Sequence, residues 1–220
     1  MTAQHPDFIR DTRTSYDAIA DAYDQRFPAD GLAGLVLERA LFGAFAELVR
    51  ATGTRAPVAD LGCGPGHVTA LLHGLGLPVF GVDLSPRMVE LARRSHPGLR
   101  FHVGSMTSLD LPDATLGGIT ALYSIIHVPD EHLPATFAEF HRVLEPGGHL
   151  LLAFQAGEAE RLRLDERFGH AIALDYYWRD PDTVAERLVA AGFRLHTRVL
   201  REAERDEARP RAFLLARKGD

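Results

Sequence analysis

Two carboxylates and a run of glycines carry the strongest chemical signal in the chain. Val58 to Thr69 reads VADLGCGPGHVT: an apolar stretch enters Gly62-Cys63-Gly64-Pro65-Gly66 and leaves on a helical pattern. Residues without a Cβ let a ligand approach the backbone, and the helix that follows offers free N–H groups. The dinucleotide fingerprint G-x-G-x-x-G wants glycine or alanine at position 67, where this chain has His67. The loop therefore suits a nucleoside with a small charged group better than a pyrophosphate. Val79 to Pro86, VFGVDLSP, ends a second apolar stretch on Asp83. A carboxylate at such a strand tip can accept hydrogen bonds from both hydroxyls of a ribose. Asp60 lies inside the first apolar run, where an unpartnered charge would be costly. Loop N–H groups or a cationic ligand would give it a partner.

For proton transfer the best-placed of the eleven histidines are His127, just after the fourth apolar run, and His170, in RFGHAIALDYYW. Each is a candidate catalytic base, and each could equally be a structural or surface histidine. Tyr16 and Tyr23 are seven residues apart, two helical turns, which puts both rings on one face of a helix. With Tyr123, Phe168, Tyr176, Tyr177 and Trp178 they could wall a small-molecule pocket. The plainer reading is that Phe168 and the Tyr-Tyr-Trp run pack an inserted helix onto the sheet. Cys63 reads most simply as a small residue filling the loop, although its place near a helix N-terminus would suit a thiolate.

Composition removes other chemistries. Of the 24 basic residues among 220, Lys218 is the single lysine. P-loop, Schiff-base and Tyr-x-x-x-Lys mechanisms each need one at a defined place, and Lys218 is the third residue from the end. One cysteine excludes an internal disulfide and a multi-cysteine zinc site; no metal site is expected. No G-x-S-x-G elbow is present. The net charge of −6 argues against a nucleic-acid partner. MTAQHPDFIRDTRTSYD has no apolar signal core, and no apolar run reaches the ~20 residues of a membrane span. A cytoplasmic protein that does not enter a membrane is expected; its oligomeric state is open, a homodimer being one option.

Short apolar runs alternate with amphipathic stretches along the chain. Strands are predicted at 57–61, 78–82, 99–103, 118–123, 149–154, 194–200 and 212–216, and helices at 68–74, 86–95, 133–144 and 181–191. That alternation predicts a mostly parallel seven-stranded sheet with helices on both faces. The charged segment REAERDEARPR separates the last two strands without a helix, so the last strand should run antiparallel. GEAERLRLDERF reads as a solvated amphipathic helix. Residues 1–55 precede the first strand, with helical patterns around Tyr16 and from Leu32 to Arg50. They read either as helices packed on the sheet edge or as a lid over the strand ends; residues 56–220 form the core.

Taken in order, VADLGCGPG, GVDLSPRMV, FHVGSMTSLDLP and RVLEPGGHLLLAF resemble the class I S-adenosylmethionine-dependent methyltransferases, in their small-molecule branch. The resemblance spans about Tyr16 to Phe193. It implies a Rossmann-like three-layer αβα sandwich, an N-terminal helical cap, S-adenosyl-L-methionine as cofactor and a small-molecule methyl acceptor. By the same resemblance Asp60, Gly62, Gly64 and Gly66, with Cys63 between them, would hold the methionine moiety and Asp83 the ribose. Leu84, Ser105 and Met106 would flank the adenine, and Tyr123 and Ser124 would line the methionyl side with Tyr16 and Tyr23 above. Two departures stand out: Ser105 replaces a common acid, and Gly117 a common aspartate. The methylated atom (O, S, N or C) is open. An NAD(P)-dependent oxidoreductase and a non-catalytic, S-adenosylmethionine-binding regulatory subunit are the alternatives.

Overall fold

A computed structural model describes residues 7–28, 35–204 and 207–219. Nine strands and six α-helices follow in the order α1 (Asp7–Arg26), α2 (Val36–Ala51), β1 (Val58–Leu61), α3 (His67–Gly74), β2 (Val79–Asp83), α4 (Pro86–Ser95), β3 (Arg100–Val103), β4 (Leu116–Leu122), α5 (Leu133–Val143), β5 (Leu144–Gln155), β6 (Glu160–Arg167), β7 (His170–Trp178), α6 (Pro181–Ala190), β8 (Phe193–Arg201) and β9 (Arg211–Lys218). The expected helix start at Leu32, and Arg205 and Asp206 of the charged loop, lie outside the described residues.

Seven strands form one sheet in the order β3-β2-β1-β4-β5-β9-β8. All neighbours pair in parallel up to β5, and β9 runs antiparallel to both β5 and β8. The α/β expectation, with its antiparallel last strand, holds. β1 and most of β4 are buried along their length, because helices cover both faces and leave no place for polar alternation. On one face Phe137, Phe140, Leu150 and Leu188 join a continuous core. On the other, Phe42, Phe45 and Val49 of α2 pack on Val58, Leu151 and Leu215. Thus α2 covers the sheet face instead of its edge. α4 starts cleanly because the Ser85 hydroxyl accepts from the Met88 amide at 3.0 Å and Pro86 supplies the first helical residue.

GEAERLRLDERF is not a helix, and the Tyr-Tyr-Trp run does not sit on one. The two segments are β6 and β7, an antiparallel hairpin outside the main sheet. Arg167 pairs with His170 across a two-residue turn, Phe168-Gly169, with φ of +53° and +78°. Leu162 and Leu164 are two residues apart, which is strand spacing; the dense charge around them gives the segment its helical look. The hairpin lies beside α1, where the Ser15 hydroxyl accepts from the Ala173 amide at 3.0 Å. The other side of α1 is fastened to α4 by Asp17, which accepts from the Ser85 hydroxyl at 2.6 Å and the Arg87 amide at 3.1 Å. The Arg87 guanidinium reaches Asp21 at 2.9 Å. So α1 spans the carboxyl ends of the strands while α2 is part of the sandwich.

Candidate active site

The strand order reverses between β1 and β4, and ligands of open α/β sheets bind at such a point. Here β1 passes into Gly62, at φ +76°. A Cβ on Gly62 would collide with the Ser124 side chain, so the two strand ends can approach only because this residue has none. Gly64, at φ +52°, has no atom within 4 Å of where its Cβ would be and faces an open cleft. Gly66 caps α3 in the left-handed region, against Phe101. Cys63 turns the other way, packing with Val89, Ala92 and Phe101, and burial pushes its thiol well above the usual range. That thiol is filler in the loop and no nucleophile at neutral pH.

Asp83 is built to present its carboxylate. One oxygen accepts from the Ser85 amide and the other from the Gly64 amide, both at 2.8 Å, which leaves a lone pair on each for a ligand. Burial raises its pKa to about 6, against the pull of those two amides. Asp60 stands behind the loop and not in the cleft wall. Its oxygens accept from the Thr69 hydroxyl at 2.6 Å and the Thr120 hydroxyl at 2.9 Å, tying α3 and β4 to β1, and burial raises it to about 6 as well. The partner that a buried Asp60 required is therefore a pair of threonines.

Leu84 and Met88 form one wall, and Gly104 to Thr107 another, with the Ser105 and Thr107 hydroxyls 2.8 Å apart. Tyr123 and Ser124 close the inner end. Tyr123 has φ +52°, rare for a residue with a side chain, and the Ser124 hydroxyl is buried without a hydrogen-bond partner. Phe8, Ile9, Thr12, Tyr16 and Tyr23 of α1 cover the cleft.

His127 is buried at the inner end, in a 3-10 turn after β4. Its Nδ1 is 2.8 Å from the Asp175 carbonyl of β7, and its Nε2 is 2.7 Å from the Tyr16 hydroxyl. A carbonyl can only accept, so Nδ1 carries the proton and Nε2 accepts from Tyr16. Burial, helped by the charges of Arg167 and Arg179, lowers His127 to about 4, while burial pushes the Tyr16 hydroxyl well up and Tyr23 to about 12. Arg179, itself buried, donates to the Ile125 carbonyl at 3.0 Å, to the Val128 carbonyl, and to Asp130 at 2.7 Å, and so fixes the turn that presents His127. His170 is not part of this group. It opens β7 at the far end of the hairpin, exposed.

Sequence reasoning missed the α1 residues Phe8, Ile9 and Thr12, whose helical spacing with Tyr16 was the available signal. It missed Arg167 and Arg179, hidden in charged surroundings. Tyr176 and Trp178 share one face of β7, with Tyr177 on the other, as strand alternation requires. Gly117 sits at the opposite end of β4 from the cleft, against Thr54 and the Ala56 carbonyl, which leaves no room for a larger side chain. Among the described residues no group of three or more His, Cys, Asp or Glu side chains could hold a metal, and no helix is long and apolar enough to cross a membrane.

A doubly wound sheet, a glycine loop at its switch point and an acid at the next strand tip make the chain similar to the class I S-adenosylmethionine-dependent methyltransferases. Residues 58–148 match the family model of a methyltransferase domain. A demethylmenaquinone methyltransferase from Chlorobaculum parvum is 35% identical over 98 residues, 44% of this chain and 40% of that one. N-demethylindolmycin N-methyltransferase from Streptomyces griseus is 28% identical over 181 residues, 70% of this chain and 76% of that one. The chain spans about half or less of the length of the first curated relatives it matches. The structure of magnesium protoporphyrin IX methyltransferase from Synechocystis, with bound S-adenosylmethionine, superposes with a TM-score of 0.69 at 18% identity, over 100% of both chains, a likeness of fold. The family's cofactor fits this cleft: Gly64 faces open space, Asp83 keeps two free lone pairs, and the Ser124 hydroxyl lacks a partner.

Proposed function

We propose that this chain transfers a methyl group from S-adenosylmethionine to a small-molecule acceptor. The observation that carries the reading is the meeting, in one covered cleft, of the glycine loop, the Asp83 carboxylate and the Tyr16–His127 hydrogen bond. When bound, the cofactor supplies an electrophilic methyl group on a sulfonium. Asp83 would accept from the ribose hydroxyls, Leu84 and Met106 would flank the adenine, and Ser124 would offer its unpaired hydroxyl to the methionyl end. α1 excludes water, so charge is dispersed in a medium of low dielectric, and alignment supplies much of the rate.

Tyr16 and His127 would manage the acceptor's proton. With Tyr16 Oη donating to His127 Nε2 and meeting the Tyr176 hydroxyl, one lone pair of Oη is left to accept from an acceptor hydroxyl or amine. As that proton moves to Tyr16 Oη, the tyrosine's own proton passes to Nε2. A histidine near 4 is a weak standing base, which suits a nucleophile that sheds its proton only as its bond to carbon forms. The unpaired, buried Cys63 suits a reducing cytoplasm.

Calorimetry with S-adenosylmethionine, S-adenosylhomocysteine and NADH tests the reading. Micromolar binding of the first two and none of the third is expected; tight NADH binding would transfer the chain to the oxidoreductases. A screen of hydroxyl, thiol, amine and carbon acceptors then separates an enzyme from a binding subunit. His127→Gln should keep cofactor affinity and lower turnover on a hydroxyl acceptor by about 10²-fold or more, and unchanged turnover would remove His127 from the mechanism.

A further inference from the structure

A second hollow adjoins the cleft, between the β6–β7 hairpin and the start of β9. Arg167, Arg209 and Arg211 line it with Tyr176, Trp178 and Gln155, and among the described residues no acidic side chain lines it. Two of the arginines have partners behind them: Arg209 reaches Glu160 at 2.7 Å and Arg211 reaches Glu207 at 3.2 Å. Arg167 has no carboxylate partner among the described residues. It donates to the Tyr176 hydroxyl and lies over the Phe168 ring, 4.9 Å from its centroid. Flat surfaces are ready for a flat ligand, since Arg209 already stacks 3.5 Å from the centroid of Trp178.

The hollow communicates with the chemistry through two rings. Tyr176 meets His127 edge-on at 4.7 Å between centroids, and Arg211 lies 5.7 Å from the ring of Tyr123, which lines the cofactor cleft. A guanidinium held by aromatic faces and one phenol, without an acid, is a binding group awaiting an anion. We propose that this hollow is the acceptor subsite and that it takes an anionic group, a carboxylate or a phosphate ester on an aromatic body, with Arg167 as counter-ion. This rests on the methyl-transfer reading and adds the substrate's charge to it.

Trp178 is the chain's one tryptophan, so its fluorescence reports on this hollow directly. Protein saturated with S-adenosylhomocysteine is titrated with benzoate, phenyl phosphate and the neutral benzamide. Saturable change is expected with at least one anion, and about tenfold weaker or no response with the amide, the size of one charge-assisted contact. Whichever anion binds tighter identifies the group. Arg167→Gln should erase that preference, Arg167→Lys should keep part of it, and S-adenosylhomocysteine affinity should stay as in the parent. Equal binding of benzamide, a preference that survives Arg167→Gln, or no saturable response to any probe up to its solubility would each overturn the inference. With S-adenosylhomocysteine still bound, such a result leaves the methyl-transfer reading standing. Failure of S-adenosylhomocysteine itself to bind removes that reading instead.

Discussion

Asp83→Asn separates what the cleft does for the fold from what it does for the ligand. The carboxyl is raised from 3.8 to about 6 by burial. An acid whose folded pKa lies above its unfolded value holds more protons folded than unfolded between those two values. Its contribution is favourable at low pH and is lost as pH rises from about 4 to about 6. The shift of 6 − 3.8 = 2.2, at ~1.36 kcal/mol per unit, sets an upper bound of about 3 kcal/mol of destabilisation at pH 7. Asp83 borders an open cleft, and asparagine keeps one oxygen for either the Gly64 or the Ser85 amide and loses the other contact. The expected net gain for the variant is therefore about 1 kcal/mol at pH 7, vanishing by pH 4.

Ligand binding should move oppositely. Ribose hydroxyls donate to the charged form, so the wild-type affinity for S-adenosylhomocysteine should fall as pH drops through about 6. Between pH 7 and pH 5 the ionised fraction falls from about 0.9 to about 0.1, which predicts a loss of about tenfold. Asp83→Asn should bind at least about tenfold more weakly than wild type at pH 7 and show little of this dependence. Urea unfolding and calorimetry at pH 5, 6, 7 and 8 measure both arms, with Asp60→Asn as control, because Asp60 also lies near 6 but stands outside the cleft. A wild-type affinity that is flat with pH, or an asparagine variant that keeps the slope, would refute the assignment of Asp83 to the ribose.

Two further substitutions probe the scaffold around it. Gly62→Ala places a methyl on the Ser124 side chain at a left-handed φ, and should cost about 2–4 kcal/mol in urea unfolding and abolish S-adenosylhomocysteine binding; Ser124→Gly in the same chain should recover part of the stability, and a parent-like Gly62→Ala would show that the loop is not clamped there. Asp17→Ala removes the acceptor of the Ser85 hydroxyl and the Arg87 amide, and should speed amide exchange along α1 by about tenfold or more while sparing β1 and β4; unchanged exchange in α1 would mean the helix is held by its packing alone.

The cofactor half was legible in the sequence because backbone conformation dictates it. A buried parallel strand must be an apolar run, a left-handed turn calls for glycine, and an acid at a strand tip has one place to go. The acceptor half proposed above depends on the β6–β7 hairpin. There Arg161, Arg163 and Arg167 alternate with Leu162, Leu164 and acids, a pattern that fits a solvated helix unless the two-residue gap between leucines is weighed above the charge. The partner of His127 was beyond reach for a different reason: the Asp175 carbonyl is backbone, and no residue type announces it. His170 misled because a histidine in an aromatic segment says nothing about which end of its strand it occupies.

Tyr123 connects the two halves. A residue with a side chain at φ +52° is strained by on the order of 1–2 kcal/mol, and such strain persists where the surroundings over-determine it. Here the Tyr123 amide donates to the Ala153 carbonyl at 2.7 Å, which holds the strand end, while the ring borders the cofactor cleft on one side and Arg211 on the other. Glycine would accept that backbone without strain but would remove the ring that lines the cleft and meets Arg211. The ring thus gives the strained residue a use: it lines the cofactor cleft and meets Arg211, which lines the hollow proposed for the anion. If Tyr123→Gly left the benzoate-over-benzamide preference intact while binding S-adenosylhomocysteine as before, the two spaces would be independent, and the hollow would not be the acceptor's.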